Sequence, residues 1–159
     1  MVGKKSGRLF KGSQKMIPRA VVVDTNLIFS ALIPRASGIR EVLFEKNILF
    51  YAPNFLISEF YKHKDKLIKY SKLDEAEYYQ YFNGIIEKIR FVPIDFISLE
   101  SKQNAYDLCK DIDIKDTPFI ALAIELNMPI WTGDKKLIKG LRLKGFDHFF
   151  EVTIKFPKM

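Results

Sequence analysis

Continuous runs of apolar residues alternate along the chain with segments whose apolar residues recur every three or four positions. The continuous runs indicate strands buried on both faces of a parallel sheet, and the recurring spacing indicates helices packed on that sheet. The predicted strands are residues 20–23, 48–51, 91–95, 129–132 and 149–153. The predicted helices are residues 27–32, 38–46, 53–70, 74–89, 101–109, 118–127 and 135–144. This alternation predicts an α/β domain with a mostly parallel sheet.

Three prolines refine the boundaries of these elements. Pro34 separates the first two short helices, because proline breaks a helix interior. Pro53 is expected to open the long helix that follows it, since the first helical turn tolerates proline. Pro93 places the third strand near an edge of the sheet, because proline cannot donate a hydrogen bond to a neighbouring strand.

Charge divides the chain into two parts. The 159 residues have a formal net charge of +7. Residues 1–19 hold six of the 26 basic residues and no acid, which leaves 20 basic and 19 acidic side chains in residues 20–159. We therefore predict a basic, flexible tail over residues 1–19 and a nearly neutral folded domain over residues 20–159. The tail is either a contact for phosphates or a solubilising end, and Met16 is an alternative start of the chain.

Cysteine content and hydropathy predict the compartment. Cys109 is the single cysteine, which excludes an internal disulfide and CxxC metal sites, and its helical spacing predicts a buried structural thiol. The apolar runs are far shorter than the roughly 20 residues that cross a membrane. A hydrophobic fraction of 48% excludes a disordered chain. These features predict a cytoplasmic protein with no membrane partner.

Two aspartates follow predicted strands, at the edge where open parallel sheets bind their ligands. Asp24 follows the first apolar run, and Asp134 follows the segment PIWTG. Each also suits the N-cap of the next helix, as does Asp116 before the apolar helix 118–127. The two roles can coexist, because a carboxylate has more acceptor sites than one cap uses.

A glutamate falls on the inward side of the predicted helix 53–70. Glu59 lies on or beside the apolar stripe that contains Leu56 and Phe60. A buried carboxylate has to be paired, hydrogen-bonded, protonated or bound to a metal. His63 is the nearest candidate partner, although we expect a solvated position for it. Glu59 therefore indicates a site.

Carboxylates from these distant segments would repel one another if they converged. Two unit charges about 4 Å apart repel by roughly 4 kcal/mol at an effective dielectric near 20, and a divalent cation removes the conflict. An all-oxygen site without cysteine or histidine suits Mg²⁺ or Mn²⁺. Asp113 is a candidate extra ligand. The segment DIDIKD is not a calcium loop, because Lys115 occupies a ligand position and the required glycine is missing.

Four segments together resemble a known family. VVVDTN, SEF, DTPFIALAIEL and WTGDKKL resemble the acidic motifs of the PIN domain, the nuclease fold of VapC-type toxins and related ribonucleases. The resemblance covers about residues 20–153, and its last two acids are 18 positions apart. It implies a three-layer α/β/α sandwich with a parallel sheet of four or five strands. It also implies an endoribonuclease dependent on Mg²⁺ or Mn²⁺, and a homodimer.

The resemblance assigns roles to individual residues. The implied catalytic and metal-binding carboxylates are Asp24, Glu59, Asp116 and Asp134. Asn26 and Thr132 would support the site by hydrogen bonding. WTGDKKL has leucine where VapC toxins often carry phenylalanine, and the helical region 62–89 extends beyond the compact toxin pattern. A stand-alone PIN protein is therefore an alternative to a toxin with an antitoxin partner.

The predicted function is metal-assisted hydrolysis of phosphodiester bonds in single-stranded RNA. Lys115, Lys135 and Lys136 flank the acids in sequence and are candidate contacts for the RNA backbone. A phosphatase of the haloacid dehalogenase type is disfavoured, because Asn26 stands where its second acid is required. The alternative that stays open is a non-catalytic PIN-like module that binds RNA or a protein.

Overall fold

A computed structural model describes residues 19–33 and 37–152. Within this part of the chain four strands form one parallel sheet in the order β3-β2-β1-β4. The strands are β1 (Arg19–Val23), β2 (Ile48–Pro53), β3 (Ile89–Val92) and β4 (Ile130–Trp131). Nearly all of the predicted basic tail, residues 1–19, and the Pro34 break lie outside the described residues, so both stay predictions.

Eight α-helices connect these strands in the described part of the chain. They are α1 (Thr25–Ser30), α2 (Ser37–Leu43), α3 (Leu56–Lys62), α4 (Lys64–Ser71), α5 (Glu75–Ile86), α6 (Leu99–Cys109), α7 (Thr117–Leu126) and α8 (Lys135–Leu143). Two short 3-10 turns, Ile94–Phe96 and Ile114–Asp116, precede α6 and α7. Side-chain caps define some of the starts. The Asp74 carboxylate, for example, accepts a hydrogen bond of 2.8 Å from the Glu77 N–H at the start of α5.

Alternate residues of β1 face opposite sides of the sheet. Val21 and Val23 belong to an apolar cluster with residues of α1 to α5, whereas Val22 belongs to a second cluster with residues of α6, α7 and α8. All three valines are fully buried. Helices therefore cover both faces of the sheet. The predicted three-layer α/β/α sandwich with a parallel sheet is confirmed, with four strands.

Two predicted elements were wrong. Pro53 ends β2, where it pairs with Val92, and does not open a helix. The predicted helix 53–70 is two helices, α3 and α4, which meet at His63 with φ −103° and ψ 12°. Residues 149–152 form no strand and contribute a single bridge between Ile130 and Phe149.

The structure confirms the predicted place of β3 in the sheet and the predicted burial of Cys109. The strand before Pro93, β3, lies at an edge of the sheet. The thiol of Cys109 is free and fully buried. No helix among the described residues is both long and apolar enough to cross a bilayer.

Candidate functional site

The order of the strands creates a crevice at the carboxyl end of β1. From β1 the chain continues to β2 and β3 on one side, and it later returns to place β4 on the other side. Connections that leave in opposite directions open a space between β1 and β4, which is where parallel sheets bind ligands. Asp24 follows β1 directly, and Asp134 lies three residues after the end of β4. Both aspartates are therefore next to this crevice.

Asp24 is held by hydrogen bonds on both carboxylate oxygens. Its Oδ1 accepts from the backbone N–H of Asn26 at 3.2 Å, which caps α1, and its Oδ2 accepts from Thr132 Oγ1 at 2.7 Å. The side chain is 3% exposed. Burial raises the pKa of Asp24, the two hydrogen bonds lower it, and the charges of Asp134 and Asp113 raise it again. Asp24 is thus both a helix cap and a buried acid, and the bond expected from Asn26 comes from its backbone.

Thr132 connects the ends of β1 and β4. Besides donating to Asp24, its hydroxyl oxygen accepts a hydrogen bond of 3.1 Å from the backbone N–H of Asp134. The Asp134 carboxylate in turn accepts from the Leu137 N–H at 3.1 Å and caps α8. One buried hydroxyl therefore fixes the orientation of Asp24 relative to the loop that carries Asp134.

Asp116 approaches the same crevice from the start of α7. It ends the 3-10 turn Ile114–Asp116 and occupies the predicted N-cap position of α7, but its side chain makes no capping hydrogen bond. Burial, followed by the charges of Asp24, Asp113 and Asp134, raises the pKa of Asp116 to about 7. Burial is the largest cause of this shift, and the three neighbouring carboxylates add to it.

Asp113 is a fourth aspartate in this group. It is exposed, and its carboxylate accepts a hydrogen bond of 3.0 Å from the backbone N–H of Lys115. Its charge raises the pKa of both Asp24 and Asp116. Asp113 was predicted only as a candidate extra ligand. Its position three residues before Asp116, across one 3-10 turn, is the signal that places it with the other acids.

A cleft of about 750 Å³ opens in front of these acids. Its acidic lining consists of Asp24, Glu59, Asp113 and Asp116, and its basic lining consists of Lys62, His63 and Lys115. Asp134 lines an adjacent depression of about 250 Å³, and Asn26 borders both spaces. The structure therefore brings Asp24, Glu59 and Asp116 to one cleft and places Asp134 beside it.

Glu59 occupies the outer part of this cleft. Its side chain is 35% exposed, and its Oε2 lies 3.3 Å from Nε2 of His63. The prediction that Glu59 is buried was wrong, because Leu56 and Phe60 form the inward side of α3 while Glu59 is displaced toward solvent. His63 is paired with Glu59 and not simply solvated. Neither His63 nor Lys62 was predicted as a site residue, although both follow Glu59 at helical spacing and His63 was its nearest candidate partner.

The three candidate lysines are divided between different surfaces. Lys115 lines the cleft beside Asp113 and Asp116. Lys135 lines a separate depression formed by α8, and Lys136 is exposed near the start of that helix. Of the three, Lys115 is therefore the one that lines the cleft.

The acids fit a hard divalent cation in their chemistry. Among the described residues, no group of three or more His, Cys, Asp or Glu side chains is arranged to hold a metal ion by itself. Mg²⁺, however, usually keeps several waters and takes one or two carboxylates from the protein. No lysine or arginine in residues 19–33 and 37–152 forms an ion pair with Asp24, Asp116 or Asp134. These three acids could therefore hold a hydrated cation, and two of them, Asp24 and Asp116, line the same cleft.

Comparison with known families assigns the fold independently of this geometry. The model of one family, described as the PIN domain, matches residues 22–151. That range includes the lining of the cleft and the four acids of the predicted motifs, Asp24, Glu59, Asp116 and Asp134. No curated protein matches the chain.

Proposed function

We propose that this chain, which belongs to the PIN domain family, is a metal-dependent endoribonuclease that hydrolyses single-stranded RNA. PIN domains are generally nucleases, so family membership supports a nuclease-type module. The metal requirement, the choice of Mg²⁺ or Mn²⁺ and the RNA substrate are our proposal. The observation that carries it is the crowding of Asp24 and Asp116 in one cleft, where Asp116 has a pKa of about 7.

Crowded carboxylates favour a bound cation, because each one raises the cost of ionising the next. At an effective dielectric near 20, one such pair about 4 Å apart costs roughly 4 kcal/mol. A divalent cation, when bound, lowers the pKa of an attacking water and offsets negative charge at the phosphate. The residues that would hold it are Asp24 and Asp116, with Asp134 and Glu59 at the margin.

The chain's own groups have defined tasks in this proposal. Thr132 keeps Oδ2 of Asp24 in a single orientation through its bond of 2.7 Å. Lys62 and Lys115 supply positive charge at the cleft, which offsets the repulsion between the acids and an incoming phosphate. The cleft is not an enclosed cavity, so an RNA strand can reach the acids from solvent. The enzyme would then cut within a strand, and no free end is required.

A cleavage assay tests this function. A mixed pool of single-stranded RNA is incubated with the wild type, Asp24→Asn and Asp95→Asn in Mg²⁺, Mn²⁺ or EDTA. Asparagine is a good N-cap, so Asp24→Asn removes the charge while keeping the cap of α1. We expect cleavage to 5′-phosphate products by the wild type and by Asp95→Asn, whose exposed side chain is not part of the cleft lining.

Two outcomes would contradict the proposal. Equal cleavage by the wild type and Asp24→Asn would show that the acids are not catalytic. Binding of RNA without cleavage in either metal would favour the alternative, a non-catalytic RNA-binding module.

A homodimer, and an antitoxin partner in the toxin version of this function, follow from the family resemblance alone. Sedimentation of the purified protein tests the first, and co-purification from the native host tests the second.

A further inference from the structure

The helices next to the cleft carry an unusual charge distribution. Residues 61–72, which cover the end of α3 and all of α4, contain five lysines and one acid. The folded part of the chain as a whole is nearly balanced, with 20 basic and 19 acidic residues in 20–159. Residues 61–72 therefore carry a net charge of +4, whereas the rest of residues 20–159, with 15 basic and 18 acidic side chains, carries −3.

We propose that the outer face of α3 and α4 binds the RNA strand that leads into the cleft, with Lys62 and Lys66 on phosphates and Tyr70 stacked on a base. We call this surface, formed by Lys62, His63, Lys66 and Tyr70, the α3–α4 face. The inference rests on the proposed function, because it names the surface that holds the substrate of that same site.

Contacts along the two helices show that this face is continuous. Glu59 and His63 are 3.3 Å apart, and the Nζ of Lys66 lies 5.9 Å from the centre of the Tyr70 ring. Lys62 and His63 line the cleft, and Lys66 follows them by four and three positions. His63 joins the two helices, because its N–H donates to the Glu59 carbonyl at 3.0 Å and its carbonyl accepts a hydrogen bond of 2.9 Å from a backbone N–H of α4. Within α4, Lys66 and Tyr70 are four positions apart and so share one side of that helix. The face therefore runs from the cleft to Tyr70, about one turn beyond Lys66.

The exposed aromatic side chain on this face has no structural role in the core. Tyr70 is 56% exposed, whereas Leu67 and Ser71 supply the buried side of α4. Proteins that bind single-stranded nucleic acids combine exposed aromatic rings with lysines, because the ring stacks on a base while the lysines contact phosphates. Tyr61, 66% exposed at the end of α3, offers a second ring nearby.

Charge complementarity favours RNA as the occupant. The cleft holds Asp24, Glu59, Asp113 and Asp116, which repel a polyanion on approach. A basic surface directly beside the acids offsets this repulsion and holds the strand at the cleft. The binding energy of such a surface is independent of sequence and depends strongly on salt, because each neutralised phosphate releases counterions.

The test measures RNA binding in a background that does not cleave. Full-length Asp24→Asn protein is titrated into a fluorescein-labelled single-stranded RNA of about 12 nucleotides, and anisotropy is followed at several KCl concentrations. The added changes are Lys62→Ala with Lys66→Ala, or Tyr70→Leu. The matched controls are Lys46→Ala and Tyr70→Phe. Lys46 is exposed just before the amino-terminal end of β2, whereas the cleft lies at the carboxyl ends of the strands.

We expect the double lysine change to lower the slope of log affinity against log salt by about 1.4, since each lysine contributes about 0.7 on a single strand. We expect Tyr70→Leu to weaken binding about fivefold or more, and Tyr70→Phe to keep the affinity, because the ring provides the stacking. Lys46→Ala should leave both quantities unchanged. Thermal unfolding of each variant checks that these exposed changes leave the fold intact.

The outcomes separate this inference from the proposed function. If the wild type cleaves RNA while the lysine and tyrosine variants bind RNA as well as the Lys46→Ala control, the α3–α4 face does not bind substrate and the inference is wrong. If the wild type does not cleave but these variants still lose RNA binding, the inference holds and the nuclease proposal fails.

Discussion

Replacing Asp116 with asparagine should stabilise the protein when no metal is present. The pKa of Asp116 is raised from its ordinary value of 3.8 to about 7 in the folded state. As pH rises, the unfolded chain therefore loses this proton near pH 4, whereas the folded protein keeps it until about pH 7. The folded protein therefore binds more protons than the unfolded chain between about pH 4 and pH 7. Asparagine carries no charge, so it avoids the cost of ionising this site.

The sign and the size of the effect follow from this difference. Because the folded state binds the extra proton, the free energy of unfolding of the wild type falls as pH rises from about 4 to about 7 and is level above that. A pKa raised from 3.8 to about 7 corresponds to about 4 kcal/mol. This value is an upper bound for Asp116→Asn, since the amide is also partly desolvated. We expect a gain of about 1 to 4 kcal/mol at pH 8 that disappears near pH 4.

Urea unfolding in EDTA between pH 4 and pH 8.5 measures this gain. The single tryptophan, Trp131, is 2% exposed, so its fluorescence should report unfolding of the sheet. Asp95→Asn is the control, because its side chain is exposed and is not part of the cleft lining. Millimolar Mn²⁺ should reverse the order by stabilising the wild type more than Asp116→Asn. Parallel stability curves for the wild type and Asp116→Asn over the whole pH range without metal would refute the electrostatic reasoning.

Three further changes test the packing around the site and in the helices. Thr132→Val should lower the free energy of unfolding by about 1–3 kcal/mol, because Oδ2 of buried Asp24 loses its donor. Thr132→Ser keeps the hydroxyl and should lower the free energy of unfolding less. If Thr132→Val unfolds in urea at the wild-type concentration, this bond does not stabilise the fold. Gly84→Ala should stabilise α5 by about 0.5–1 kcal/mol, since the new Cβ meets only ordinary contacts at 3.8 Å. Gly140→Ala should instead destabilise α8 by about 1 kcal/mol, because its Cβ would lie 2.7 Å from Cδ1 of Ile112 and overpacking outweighs the gain in helix propensity. Equal shifts in the melting temperature of the two alanine variants would contradict this distinction.

Local patterns were sufficient for the layers of the fold. The run before Asp24 is apolar at every position, because both faces of β1 pack against helices and neither face is exposed to solvent. Pro53 was misassigned because the first turn of a helix and the last position of a strand both tolerate proline. The break at His63 has no sequence signal, since neither glycine nor proline is present there.

The site was less accessible to sequence reasoning than the fold. The bond between Thr132 and Asp24 joins residues 108 positions apart, so it depends on β1 and β4 being neighbours in the sheet. Asp116 does occupy the N-cap position of α7, but it also ends a 3-10 turn and has right-handed helical φ and ψ angles, and its side chain makes no capping hydrogen bond. The outward position of Glu59 depends on how α3 is rotated about its axis. Leu56 lies three residues before Glu59 and Phe60 one residue after it, and this pattern does not determine the rotation.

The arrangement of the three valines in β1 has a consequence for how the protein unfolds. Val21 and Val23 contribute to one apolar cluster and Val22 to the other, so detaching this strand exposes both clusters to water at the same time. Neither half can then melt while the other persists. The amide hydrogens of β1 should consequently exchange with solvent only through global unfolding. Asp24, which follows β1, should leave the cleft in that same cooperative event.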